Sequence, residues 1–535
     1  MIIDPHGENM KKNTLIMIIL LLVLLPAISA NSDTGKIIIK KFIFNGNSIF
    51  SDIELSEISS SYENRELSLA ELEDLRYRLS MFYIDKGFIN SGVMIPDQKM
   101  PDDYGNITLK IVEGSLDKIE ISGNERLKKG YIEDRIRLGA EPPLNMKKLQ
   151  ERLQIIQTDP LIETINADLK PGIVPGKADL DVKIHEARAY HGGLQYSNSY
   201  SPGAGSQILE TFASHENLTG NGDSLELKYG FTESLYDYSG SYSIPVNSRD
   251  TRIRLSYSRN SSTLIEEPFD ELDIESKSEN YEISVTHPVF KTIDSEVKIG
   301  LITKKEYSET YLLNKPFSFS EGVINGKSDV SVIRFSQDFV SKSGYQVVAA
   351  RSLLSLGINA FGSTDNAMAP DSQFFSWIGQ IQWARQMEKL LNSQMIIRTD
   401  IQLAADALLP IEQFAIGGGK SVRGYRENQL VRDNGIVSSI EFRIPLINLK
   451  IPGVSSHTED GRLSIAPFFD YGAGWNTRRK SPGALNISSA GLGLRYDPSQ
   501  YAHAHIYWGY PFRDIDTSDD DLQDDGIHFL ASCWF

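Results

Sequence analysis

The feature that most limits what this chain can fold into is a period-two alternation that runs from residue 188 to the C-terminus. Apolar and aromatic residues occupy one parity of each segment, while polar residues, charged residues or glycine occupy the other. Examples of the apolar parity are Leu225, Leu227, Tyr229 and Phe231, and later Ile527, Phe529, Ala531, Cys533 and Phe535. Such alternation is typical of β-strands with one apolar face. Both a soluble sandwich and a membrane barrel produce it, so alternation alone leaves the two open.

The N-terminus indicates which compartment the chain enters. A basic stretch, an apolar run of 11 residues over 15–25 and a group of small residues fill the first 30 positions. This order is typical of a secretory signal peptide, which we predict for residues 1–30. The run is too short to span a bilayer as a helix, although a signal anchor is the alternative. Met1 and Met10 both remain open as the true start.

The rest of the chain contains no apolar stretch of about 20 residues, so membrane insertion would require a β-barrel. We count sixteen alternating segments in the last 348 residues, the first at 189–200 and the last at 526–535. Bacterial single-chain barrels have even strand numbers, and their strands need about 9–11 residues. The chain ends on Phe535, which completes the last amphipathic strand and is expected to serve as the barrel assembly signal. The prediction is a mainly β protein with a 16-stranded antiparallel transmembrane barrel over 188–535.

The segment before the barrel repeats one pattern of elements twice. A strand, a Gly-Asn turn, two helical patterns and two strands occur in that order over 36–114 and again over 115–187. Gly46 and Gly123 are 77 residues apart in the two copies, and Glu113 and Glu186 are 73 apart. The strongest helical face is the set Leu69, Leu72, Leu75, Leu79 and Phe82. We predict two tandem βααββ domains, with a single α+β domain as the alternative.

Each unit is expected to contain a mixed three-stranded sheet with an exposed edge. An exposed edge can recruit an extended peptide through backbone hydrogen bonds, with little demand on the peptide sequence. That property suits a module that handles unfolded chains.

The most distinctive motif lies in a loop. If Phe535 ends at the periplasmic face, counting strands backwards puts the loop 407–435 on the extracellular side. Its central residues are Gly417, Gly418, Gly419, Lys420, Ser421, Val422, Arg423, Gly424 and Tyr425. A phosphate-binding P-loop would need glycine where Phe414 stands, and no strand-to-helix context follows, so we reject that interpretation.

The βααββ units, ending in Val-Glu-Gly in the first copy, resemble POTRA domains. Together with the barrel and the tetrapeptide Val422 to Tyr425, they resemble the two-partner secretion outer-membrane transporters, the TpsB class of the POTRA-barrel superfamily, of the haemolysin/haemagglutinin secretion-activation type. The resemblance implies that the loop folds back into the lumen and that Arg423 meets an aspartate on the barrel wall. The matching aspartate is Asp470, flanked by Phe469 and Gly472.

The alternation independently assigns Asp470 to the lumen, because Leu463, Ile465, Pro467, Phe469 and Tyr471 form the apolar row of that strand. A confined arginine needs a carboxylate partner, and its planar fork allows bidentate binding. The alternative is that Arg423 is a solvated loop residue.

Other features exclude classes of function. The net charge of −17 argues against a nucleic-acid binder, and the single cysteine excludes an intramolecular disulfide framework. His503 and His505 share the lumen face of one strand and are interpreted as a polar pore wall, with a metal site as the weaker alternative. Seven aspartates occur from Asp514 to Asp525, which we interpret as a solvated acidic loop, with bridging by calcium or lipopolysaccharide-linked cations as the weaker alternative. We predict no metal, no cofactor and no enzymatic activity.

Many members of this transporter class carry an N-terminal helix that plugs the pore. Here about six residues, 31–36, separate the predicted cleavage site from the first strand. A plug helix does not fit in that space, so we expect the loop with Arg423 to be the main occluding element.

The resemblance implies an outer-membrane transporter of a Gram-negative bacterium with its POTRA domains in the periplasm. It would export an unfolded TpsA-type exoprotein without nucleotide hydrolysis, and haemolysin, adhesin and contact-toxin cargoes all remain open. Outer-membrane lipid, lipopolysaccharide and the barrel assembly machinery are further expected partners. The main alternative is a barrel-protein insertase of the same superfamily. A diffusion porin is disfavoured, because porins have no use for a periplasmic arm of about 150 residues.

Overall fold

The computed structural model describes residues 37–99, 104–367, 370–515, 517 and 521–535. The predicted signal peptide and the short spacer at 31–36 lie outside these ranges. The chain divides into two compact units, with the boundary between Ala187 and Arg188. Within the described ranges, no helix has both the length and the apolar character needed to cross a membrane.

The first βααββ domain is built on a mixed sheet. Its strands are β1 (Ile37–Asn45), β2 (Glu66–Leu67), β3 (Gly92–Met94) and β4 (Tyr104–Val112), and its helices are α1 (Asp52–Ser59) and α2 (Leu69–Asp85). The sheet order is β2-β1-β4-β3, with β1 and β4 parallel. The three-stranded expectation was therefore incomplete, because the short strand β2 pairs with β1 at Ile37 and Ile38.

The second domain has three strands and two helices. They are β5 (Ser115–Ser122), α3 (Lys129–Arg137), α4 (Met146–Gln157), β6 (Ile162–Pro171) and β7 (Lys177–Glu186). The order is β5-β7-β6, with β5 and β7 parallel and β6 antiparallel to β7. In both domains the helices cover one face of the sheet, and the apolar residues between helices and sheet form a separate core.

One residue of the predicted helical face is placed wrongly. Leu69 is 66% exposed, because it is the first residue of α2 and directly follows the N-cap Ser68. Tyr83 takes its place in the core, where it is fully buried together with Leu75 and Leu79.

The two domains share a device that fixes the turn after their first strand. Gly46 and Gly123 both have positive φ, and a Cβ on either would meet a carbonyl oxygen of the last strand, at 2.5 and 2.2 Å. Glu113 accepts hydrogen bonds from the amides of Ser48 and Ile49 at 2.7 and 2.9 Å. Glu186 accepts in the same way from the amides of residues 125–127. The repeated glycine and glutamate therefore close the same turn twice.

The second unit is a closed antiparallel barrel. Its sixteen wall strands are β8 (Tyr190–Ser197), β9 (Ile208–Glu216), β10 (Ser224–Phe231), β11 (Leu235–Pro245), β12 (Arg252–Thr263), β13 (Glu275–Lys291), β14 (Ser295–Leu312), β16 (Lys327–Ser343), β17 (Gln346–Ile358), β18 (Phe375–Met387), β19 (Ser393–Ala404), β22 (Asn434–Asn448), β23 (Arg462–Trp475), β24 (Asn486–Ser499), β25 (Ala502–Pro511) and β26 (Ile527–Trp534). The last wall strand pairs with the first, which closes the ring. A two-residue strand, β15 (Lys315–Pro316), pairs with the end of β14. The predicted 16-stranded barrel is confirmed.

The alternation sorts side chains between the two faces of the barrel wall. Leu227, Tyr229 and Phe231 on β10 and Phe469 and Tyr471 on β23 are all exposed on the outer surface. Residues of the other parity line the lumen, where Asp470 is completely buried. The buried aspartate points to material inside the barrel that excludes water from this part of the wall.

Candidate functional site

The loop between β19 and β22, residues 405–433, packs against the lumen wall. It contains a small hairpin of β20 (Phe414–Ile416) and β21 (Leu430–Arg432). Glycines on the lumen parity of β22 and β23 make room for it. A Cβ on Gly472 would lie 2.4 Å from the side chain of Ile416 and 2.9 Å from that of Val422. A Cβ on Gly435 would lie 2.4 Å from the Phe414 ring. The glycines therefore form the seat of the loop.

Arg423 is bound on several sides within this seat. Its Nε and Nη2 donate to the two carboxylate oxygens of Asp470 at 2.8 and 2.9 Å, and its backbone amide donates to Asp470 Oδ2 at 3.0 Å. Its Nη1 donates to Glu441, and its Nη2 also donates to Ser439 Oγ at 3.1 Å. Arg423 is 6% exposed and Asp470 is 0% exposed. The arginine is therefore a buried wall contact and not a solvated loop residue.

Aromatic rings complete the arginine site. The guanidinium carbon of Arg423 lies 3.6 Å from the ring centre of Phe468 and 4.6 Å from that of Tyr507. Glu441 also accepts hydrogen bonds from two other side chains. The Nε of a second arginine, Arg443, donates to it at 2.7 Å, and the hydroxyl of Tyr507 donates to it at 3.1 Å. Two guanidinium groups therefore face two carboxylates, which balances the buried charge.

The other residues of the motif have distinct contacts. Val422 is fully buried in an apolar cluster with Ile416 and Ile487. Gly424 has φ +89°, and a Cβ there would lie 2.7 Å from the carbonyl oxygen of Gly509 on β25. The hydroxyl of Tyr425 donates to the carbonyl of Ser488 at 3.1 Å and accepts the amide of Arg513 at 3.2 Å. All four motif residues therefore contact the wall or the loop that caps it.

Two further residues hold the loop and were missed by the sequence analysis. His528 on β26 accepts the Gly424 amide at Nε2 over 3.1 Å. At the base of the loop, the fully buried carboxylate of Asp433 accepts the Leu408 amide, the Thr477 amide, the Gln413 side chain and Arg479. Asp433 directly precedes β22, and no local sequence pattern marked it.

Gly472 and Phe469, the named neighbours of Asp470, lie on opposite faces of the wall, as the alternation predicts. Gly472 belongs to the seat of the loop, but Phe469 lies on the outer face and is 44% exposed, so it does not contact Arg423. The neighbour that stacks on the guanidinium is Phe468, whose parity is that of the lumen. This follows from the alternation itself, because residues adjacent to Asp470 must face the other way.

Two of the described aspartates in the acidic loop are paired, unlike the solvated side chains we expected, while Asp516, Asp519 and Asp520 lie outside the described residues. Asp524 pairs with Arg426, and Ser206 donates to Asp521 at 2.5 Å. These aspartates therefore hold structure instead of simply facing solvent.

His503 and His505 lie on the lumen parity of β25, with 3.0 Å between their ring nitrogens. In the part of the chain that the structure describes, no group of three or more His, Cys, Asp or Glu side chains is arranged to hold a metal ion. At the C-terminus, the amide of Phe535 donates to the carbonyl of Gly192 at 3.0 Å.

Comparison with known proteins supports the resemblance that the motifs suggested. The family described as haemolysin secretion/activation protein ShlB/FhaC/HecB matches residues 176–496, and the ShlB-type POTRA domain matches residues 37–114.

Among individual relatives, the chain is 22% identical over 408 residues to the outer membrane transporter CdiB of Dickeya dadantii (strain 3937), which covers 74% of this chain and 70% of that protein. It is 21% identical over 481 residues to the heme/hemopexin transporter protein HuxB of Haemophilus influenzae (strain 86-028NP), with 86% and 80% covered. The solved structure of CdiB from Escherichia coli superposes with a TM-score of 0.66 at 18% identity, covering 96% of this chain and 93% of that one. The chain therefore belongs to the haemolysin secretion/activation protein family, the outer-membrane transporters of two-partner secretion.

Proposed function

We propose that this transporter exports one unfolded TpsA-type exoprotein through its barrel to the cell surface, without nucleotide hydrolysis. The observation that carries the proposal is the loop 405–433, which is seated against the lumen wall through polar contacts centred on Arg423. Ion pairs and hydrogen bonds can be exchanged for contacts with water when a polar loop moves. The loop is therefore a removable stopper and not part of a permanent core.

The proposed export of the exoprotein begins in the periplasm and ends at the cell surface. The two βααββ domains, 36–114 and 115–187, bind the exoprotein in the periplasm, partly by strand addition at a sheet edge. The loop then shifts, and the Arg423–Asp470 pair breaks or forms again as the exoprotein passes through the barrel domain, 188–535. Folding outside the cell makes the transfer one-way. Lipopolysaccharide around the barrel and the barrel assembly machinery during insertion are the other proposed partners.

The sharpest test of the loop is Arg423→Ala. We expect the variant barrel to insert normally and to secrete the exoprotein poorly, because Asp470 and Glu441 lose their shared cation. Removing one member of a buried pair costs about 3–5 kcal/mol. Secretion is measured as exoprotein in the medium, and insertion is measured as the heat-modifiable band of the folded barrel.

The matched control is Lys420→Ala, which removes an exposed cation from the same loop. Parental secretion by Arg423→Ala would remove this assignment of the loop.

The alternative function, insertion of other barrel proteins, makes a different prediction for a gene deletion. Loss of one secreted protein with unchanged outer-membrane composition supports export. General loss of barrel proteins supports insertion. The gene next to this one also discriminates, because a long β-helical or filamentous exoprotein encoded there favours export.

A further inference from the structure

A second arginine of the loop makes contacts of a different kind. Arg426 follows Arg423 by three residues, and its Nε and Nη2 donate to the two carboxylate oxygens of Asp524 at 2.5 and 2.6 Å. Its Nη1 donates to Glu266 at 2.5 Å. The side chain of Arg426 is 14% exposed and that of Asp524 is 3% exposed. Arg426 and Asp524 therefore form a buried, bidentate ion pair, and Glu266 is the third member of this charged cluster.

The two carboxylates belong to separate surface loops. Glu266 lies in the connection 264–274 between β12 and β13, and Asp524 lies in the connection 512–526 between β25 and β26. β12 and β26 are five positions apart around the ring of sixteen wall strands. Arg426 therefore joins distant parts of the barrel mouth, whereas the partners of Arg423 all lie on wall strands.

Contacts next to the Arg426 ion pairs involve a third connection, 198–207, between β8 and β9. Gln523 is fully buried, accepts the Glu427 amide at 2.8 Å, and donates to the carbonyls of Asn198 and Tyr200 at 2.7 Å each. The amide of Ile265, next to Glu266, donates to the carbonyl of Gly203 at 2.8 Å. The connection 198–207 therefore contacts both of the connections that Arg426 joins.

The charges explain why the cation matters at this point. Arg426 is bound by two carboxylates that come from different connections, so its removal leaves two acids near each other without their shared cation. Like charges in a partly buried site repel, and each recovers hydration by moving apart. The expected result is separation of the connections 264–274 and 512–526.

We propose that Arg426 is a positioning residue that clamps the surface connection 264–274 to residues 521–526 at the barrel mouth, and that an exported chain leaves only after this clamp opens. The proposal rests on the export function proposed above. Arg423 then fixes the loop to the barrel wall, and Arg426 fixes the surface connections to the loop. The two arginines hold different partners, and a charge exchange with Asp524 tests Arg426 separately from Arg423.

The test uses the full-length protein reconstituted into planar lipid bilayers. Arg426→Ala is expected to raise the fraction of time spent in conducting states by at least about tenfold over the parent, because the buried countercharge is lost. The matched control is Arg478→Ala, which removes a surface-loop arginine whose side chain is 74% exposed, and it should behave as the parent. A parental level of conductance in correctly folded Arg426→Ala would overturn the clamp.

A charge exchange distinguishes a specific clamp from a general structural effect. Arg426→Glu alone should open the pore. Arg426→Glu combined with Asp524→Arg and Glu266→Gln should close it again, since the pair with residue 524 is restored in reverse and residue 266 no longer opposes the new carboxylate. A triple variant that stays as open as Arg426→Glu overturns the proposal. These recordings contain no exoprotein, so a failed clamp leaves the export function intact. Likewise, a deletion strain with unchanged secretion refutes export without touching the conductance result.

Discussion

At the residue level, the lumen site depends on the shape of the guanidinium group as well as on its charge. Arg423 contacts both oxygens of Asp470 and reaches Glu441 with a third nitrogen, while its flat face lies on Phe468. A lysine ammonium supplies three donors at one point and cannot reproduce the planar fork or the stacking. The site therefore discriminates between two residues of equal charge.

The first prediction is that Arg423→Lys secretes less exoprotein than the parent and more than Arg423→Ala. Loss of the bidentate geometry should cost about 1–2 kcal/mol of loop docking, which corresponds to roughly a tenfold change in the docked equilibrium. The measurement is exoprotein in the medium at equal amounts of folded barrel. Secretion by Arg423→Lys at the parental level would show that charge alone is sufficient.

At this scale, the family resemblance paired Arg423 with Asp470 and the alternation placed Asp470 in the lumen, but neither identified the residues around them. Asp470 could be assigned to the lumen because its strand alternates regularly. His528 lies 104 residues from Gly424, and Asp433 lies 25 residues from Leu408, so no local pattern marks either residue. Their roles depend on long-range contacts that a local reading does not contain.

At the level of elements, the loop crosses strand β25 at a point where neither backbone carries a side chain. Gly424 and Gly509 are so close that a Cβ on Gly509 would lie 2.8 Å from the Gly424 nitrogen. A methyl group at this crossing forces the loop away from the wall. The crossing therefore tolerates only glycine on the strand.

The second prediction is that Gly509→Ala impairs loop docking although it leaves every partner of Arg423 in place. We expect higher conductance and lower secretion, with an unchanged heat-modifiable band. Gly344→Ala is the control, because a Cβ there meets no atom within 4 Å. Equal conductance for the two variants would contradict the close crossing.

The third prediction concerns the repeated turn in the βααββ domains. Partial burial raises the pKa of Glu113, but the hydrogen bonds from Ser48 and Ile49 outweigh it and hold the pKa below its ordinary value. A lowered pKa in the folded state means that the stabilisation is present above the unfolded pKa of about 4.3 and is lost as the pH falls through the folded value. The domain should therefore resist protease at pH 7 and become sensitive on acidification.

Glu186→Ala provides the matching substitution in the second domain. It should lower the free energy of unfolding by about 2–4 kcal/mol at pH 7, since three backbone amides lose a charged acceptor. Limited proteolysis of the full-length protein measures the effect, and Glu163→Ala, which changes an exposed side chain of β6, is the control. A Glu186→Ala protein as resistant as the control would mean that the glutamate does not secure the turn.

Sequence patterns located the elements well but not their full extent. Helix α3, Lys129–Arg137, lies where the second repeat predicts its first helical segment. Strands β13 and β14 run to 17 and 18 residues, well beyond the about 9–11 residues that a membrane-spanning strand needs. Their outer ends carry charged and tyrosine side chains on both parities, so pairing continues where the hydrophobic signal has stopped.

At the level of the whole molecule, the two units have different sources of stability. Each βααββ domain has an apolar core between helices and sheet, while the barrel is closed by strand pairing around a polar lumen. The fourth prediction is that a chain lacking residues 37–187 still forms a heat-modifiable barrel in the outer membrane but secretes no exoprotein. Secretion by this shortened chain would contradict the receptor role proposed for the βααββ domains.

The glycine seat has a consequence for the passage of cargo. When the loop withdraws, the strip of wall that Gly435, Gly472 and Gly474 provide becomes bare peptide backbone facing water. Such a strip has no side chains on which a sliding polypeptide could snag, and its peptide groups are already engaged with neighbouring strands. The glycines that make room for the docked loop therefore leave a strip of wall without side chains once the loop has moved away.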